Sequence, residues 1–115
     1  MTVVASIQGV YFLVTGVWPL VHMRSFLAAT GPKVDLWLVK TVGVIVGVIG
    51  LVLLGAAWSG RVTPEVVGLA VGSAAGLGAV DVVYVAKRVI LKVYLFDALA
   101  EALLVLAWAV AWSLR

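Results

Sequence analysis

The chain has no cysteine, one histidine, and only eight basic and five acidic side chains among 115 residues. Without Cys there is no disulfide, no thiolate metal site and no Cys nucleophile. A lone histidine, His22, cannot build a metal or haem site without other ligand types or a second chain, and at a helix end near the headgroups it reads first as a hydrogen-bonding residue. No phosphate-cradling, dinucleotide-binding, zinc-protease or nucleophile-elbow motif occurs, so neither a catalytic set nor a cofactor is named by the sequence. The formal charge of +3 sits on short connections and does not form the basic surface that nucleic-acid binding requires. Most of what a water-soluble surface needs is also missing: 11% of residues are charged and 65% are hydrophobic, with a mean hydropathy of +1.26.

What is present is four apolar runs, each long enough to cross about 30 Å of hydrocarbon. They cover about 3–21, 36–58, 66–86 and 93–112, leaving almost nothing for a soluble domain. The first run lacks a basic leading region and continues into Trp18-Pro19, so it reads as a span and not as a cleavable signal. Short connections favour antiparallel neighbours, and the expected fold is an all-α integral membrane protein, one up-and-down bundle of four transmembrane helices over 1–115. Thr63-Pro64-Glu65 is a helix start, with a capping hydroxyl, Pro at the first position and an acid at the positive end of the dipole. Gly31-Pro32 breaks the first connection after a short amphipathic stretch, Met23 to Ala29.

Orientation follows from the basic residues. Arg24, Lys33, Lys40, Lys87, Arg88 and Lys92 lie on one side, against Arg61 and Arg115 on the other. The basic connections are therefore expected in the cytoplasm and both termini outside, in a bacterial inner membrane. The aromatic pair Trp108 and Trp112 would then anchor the outer interface. Glycines recur at helical spacing as Gly43, Gly47 and Gly50 on the second span and Gly68, Gly72 and Gly76 on the third, a pattern for close helix contact within the chain or with a second copy.

The polar residues are the selective feature. Gln8, Tyr11, Thr15, Trp18 and His22 follow steps of three and four on the first span and share one face. Asp81, Tyr84 and Arg88 share a face of the third span and its end, and Asp97 and Glu101 share one on the fourth. Glu101 is about 12 Å along its helix at about 1.5 Å per residue, close to the midplane, where a charged side chain costs about 2.5–3.5 kcal/mol and is by default a functional candidate. The expected site joins Glu101, Asp81 and Asp97 with Lys40 and Arg88 as cations and His22, Tyr11 and Tyr84 as polar partners.

Three functions fit this pattern. One is a small bundle that binds or transports a small molecule or ion, with Glu101 as the buried acid. Another is an accessory subunit or homodimer whose partners are other membrane chains and the lipid bilayer. The third is an intramembrane enzyme using Glu101, Asp81 and His22 as acid-base groups. A competing structural reading pairs Lys40 with Asp81 or Glu101, and Arg88 with Asp97, as ion pairs that only fix helix register.

Overall fold

The computed structural model describes Met1–Arg115 as five α-helices without strands: α1 (Thr2–Val21), α2 (Met23–Thr30), α3 (Leu36–Ser59), α4 (Pro64–Ala86) and α5 (Tyr94–Ser113). Four of them, of 20, 24, 23 and 20 residues, are long and apolar enough to cross a membrane. At about 1.5 Å per residue these lengths match the hydrocarbon thickness. Only 17 of 115 residues are buried, and the outer surface carries Val, Leu and Ile on every long helix, so lipid is the solvent this exterior suits.

Local chemistry sets the breaks. Val21 ends α1 because His22 leaves helical geometry and caps the next helix, its Nδ1 accepting from the Ser25 amide at 3.2 Å. Gly31 closes α2 at φ 97°, and Gly60 closes α3 at φ 69°, a region that favours glycine. The Thr63 hydroxyl accepts from the Val66 amide at 3.3 Å and Pro64 opens α4.

Helices α1 and α3 meet backbone to backbone. A Cβ at Gly16 would lie 2.6 Å from the Gly43 carbonyl oxygen, and one at Gly50 would lie 2.7 Å from that of Gly9. These pairs run in opposite order along the two helices. Glycine is required at these crossings because any side chain would have to displace backbone. Gly43 and Gly50 thus make the contact expected of them. At Gly47 the nearest atom to an added Cβ is Val17 Cγ2 at 3.9 Å, an ordinary contact, although Gly47's own amide bounds the Gly16 crossing.

The glycine row on α4 differs from expectation. Gly68, Gly72 and Gly76 are exposed, and a Cβ on any of them would meet open space. Helix α4 turns Ala70, Ala74 and Asp81 inward instead, and Gly78 is the glycine that approaches α5, where an added Cβ would lie 3.2 Å from Glu101 Cβ. Repeat spacing defines a shared face, but the bulkier Leu77 and Ala74 side of α4 supplies more apolar area to bury, and that side won.

One end of the molecule is packed around Ala5, Leu53, Ala70 and Trp108, and a second layer of Phe12, Ala74 and Leu104 lies below it. Trp108 is therefore not an interface anchor. It is buried, and its indole N–H donates to Gln8 Oε1 at 2.6 Å, while Gln8 Nε2 donates to the Ala70 carbonyl at 2.9 Å.

Candidate functional site

Below the Phe12 layer the helices part around a cavity of about 460 Å³, reached by residues of all five helices. Tyr11, Asp81, Asp97 and Glu101 line it together. The first-span stripe explains Tyr11: one turn beyond Gln8, it reaches across to α5, where its hydroxyl donates to Asp97 Oδ1. Asp97 in turn neighbours both Asp81 and Glu101. Asp81 and Glu101 are 6% and 2% exposed, and one oxygen of each, Asp81 Oδ2 and Glu101 Oε2, has no hydrogen-bond donor.

The expected cations do not join them. Lys40 is exposed on α3, and Arg88 is exposed in the turn after α4 at φ 59°; neither lines the cavity. No Lys, Arg or His nitrogen is paired with a carboxylate, so the register-fixing ion pairs are not formed. The physical reason is reach: Arg88 lies beyond the end of α4, and Lys40 sits in the second turn of α3 with its side chain exposed. Tyr84 is also outside, under the ammonium of Lys87 at 5.6 Å from its ring. His22 is exposed and engaged with Ser25, so it does not line the cavity beside Asp81 and Glu101.

The chain matches no protein-family model, no curated protein and no solved structure. The site must therefore be argued from its own atoms.

Two lining residues were not among the sequence candidates. Lys33 projects from the first connection, its ammonium donating to Thr30 Oγ1 at 2.8 Å and the Gly31 carbonyl at 3.1 Å, and standing 5.2 Å and 5.1 Å from the ring centres of Phe26 and Tyr94. A lysine next to Gly31-Pro32 reads in sequence as a topology signal, and only the fold turns it inward. Tyr94, the first residue of α5, lines the cavity as well. The cavity thus has three carboxyl groups and one ammonium. Three carboxyls around one cavity within the apolar spans need counter-charge, either shared protons or a bound cation. No group of three His, Cys, Asp or Glu side chains is arranged to hold a metal ion.

Proposed function

We propose that this is a small integral membrane protein, an antiparallel up-and-down bundle with basic connections in the cytoplasm, that binds or carries a small cationic molecule or ion, with Glu101 as the buried acid. The observation that carries this reading is the convergence of Asp81, Asp97 and Glu101 on one cavity with no basic side chain paired to any of them. A buried carboxyl oxygen without a donor has lost water and gained nothing, an arrangement that a passing cation or proton corrects.

Protons and a cation would compete for the same oxygens, so binding should strengthen as pH rises, by at most about tenfold per pH unit for each proton released. The groups facing this exchange are Tyr11 from α1, Asp81 from α4, Asp97 and Glu101 from α5, and Lys33 from the first connection. Titrating the purified chain with tetraethylammonium at several pH values, and following tryptophan fluorescence in a chain whose other four tryptophans are replaced by Phe so that Trp18 at the cavity wall reports alone, tests the reading. Glu101→Gln should weaken binding and flatten its pH dependence; an unchanged profile would remove the mechanism.

A second reading, an accessory subunit or homodimer, is favoured by one observation: the Gly68, Gly72 and Gly76 row faces outward with nothing against it. Cross-linking through single cysteines on that row in native membranes separates the two readings. An acid-base enzyme would lack its third group, because His22 does not line the cavity with Asp81 and Glu101.

A further inference from the structure

Packing contacts bound the cavity on several sides. Towards the basic connections it is roofed by protein: Gly31 packs on Leu91, where an added Cβ would come within 2.7 Å, and Lys33 ties the first connection to Phe26 and Tyr94. The opposite end is sealed by the buried layer of Phe12, Ala74 and Leu104. Between α1 and α3 the glycine crossing at Gly16 and Gly43 leaves no gap, and between α4 and α5 Gly78 brings the backbone against Glu101. The α1 and α5 seam is bridged by the Tyr11 to Asp97 hydrogen bond. The α3 and α4 seam is different. Val42 and Val80 both line the cavity and are both 51% exposed, so apolar side chains flank an opening that faces outward along the bundle.

The interior combines two chemistries. Its walls are mainly apolar, with Phe12, Val39, Val46 and Leu77 among them, and its floor holds Glu101 and Asp81, both more than nine-tenths buried, each with an oxygen that has no donor. The one ammonium present, Lys33, has its donors on Thr30 and Gly31. A hard divalent ion needs about six oxygen ligands, which this cavity does not assemble. A volume of about 460 Å³ lies within the range of about 300–1,000 Å³ typical of sites for organic ligands. Apolar walls would bury an organic body, the carboxyls would meet one positive centre, and the faces of Tyr11 and Trp18 add favourable contact with a cation.

Resting on the cation-binding reading above, we infer that the ligand is a lipid-soluble organic monocation that enters sideways from the membrane, between Val42 of α3 and Val80 of α4. Such a molecule concentrates in the bilayer, so the portal faces the phase that holds it.

The test uses the full chain in lipid nanodiscs and three probes: tetraphenylphosphonium, tetramethylammonium, and uncharged triphenylphosphine oxide. Tetraphenylphosphonium should bind about tenfold or more tightly than either of the others, and Glu101→Gln should weaken it about tenfold or more. Asp97→Asn, checked like the first variant for retained helicity by circular dichroism, should weaken it in the same direction. Val80→Trp, which narrows the seam, should slow tetraphenylphosphonium association about tenfold. Equal binding of the large and small cations, both dependent on Glu101, would overturn the lipid-soluble ligand while leaving the cation site standing. Binding of the uncharged probe as tight as the phosphonium, or indifference of both cations to Glu101, would overturn both. An unchanged association rate in Val80→Trp would overturn sideways entry.

Discussion

The same three helices, α1, α4 and α5, bury polar side chains at two levels, and they treat them in opposite ways. At one level Gln8 receives the Trp108 indole N–H and gives its own amide to the Ala70 carbonyl, in a buried apolar layer. About two turns along α5, Asp81 and Glu101 keep an oxygen each without a donor and border a cavity. Buried polar groups that serve packing are paired with one another. Groups left unpaired beside a cavity are where the proposed cation would bind.

The contrast can be broken at its packed side first. Gly50→Val would place a side chain 2.6 Å from the Leu13 amide nitrogen, so α1 and α3 must separate; the expected outcome is a loss of about 3 kcal/mol or more, read as failure to recover folded protein in detergent. Next, Gln8→Ala strands the Trp108 N–H and should lower unfolding stability by about 2 kcal/mol. Because the two residues share one network, adding Trp108→Phe should cost less than the sum of the single losses. Additive losses would show that the network is not a unit.

On the open side, Glu101→Gln should change stability by less than about 1 kcal/mol while weakening cation binding. Lys40→Met should neither alter stability beyond about 0.5 kcal/mol nor rescue the Gln variant, since Lys40 is exposed and unpaired. A rescue would restore the register-pin reading. Smallest of all, Gly72→Ala should leave the stability of the isolated chain within about 0.5 kcal/mol, because its Cβ meets open space. A large effect seen only in native membranes would mark a partner on that face.

How much of this was legible in the sequence depends on the kind of information involved. The apolar runs needed only length and hydropathy, and each helix end falls within two residues of them. The start at Thr63-Pro64 and the short helix from Met23 were equally local, fixed by capping and amphipathicity. Periodicity also placed Gln8 and Tyr11 on one face, yet it could not tell that the first meets an indole and the second a carboxylate. It gave the two glycine rows equal standing, although only the α3 row meets a neighbour, because the spacing of a row says nothing about which way its helix is rotated. Lys33 reads as a topology signal and Lys40 as a partner for the acids, because charge and depth do not say which ammonium the path of the first connection brings to the cavity.

The most direct measurement of the central claim is native mass spectrometry of the chain released gently from its own membrane. A singly charged organic molecule is expected at one per chain, lost from Glu101→Gln and retained by Lys40→Met. The same bound mass on both variants, or one lost only from the Lys40 variant, would contradict it.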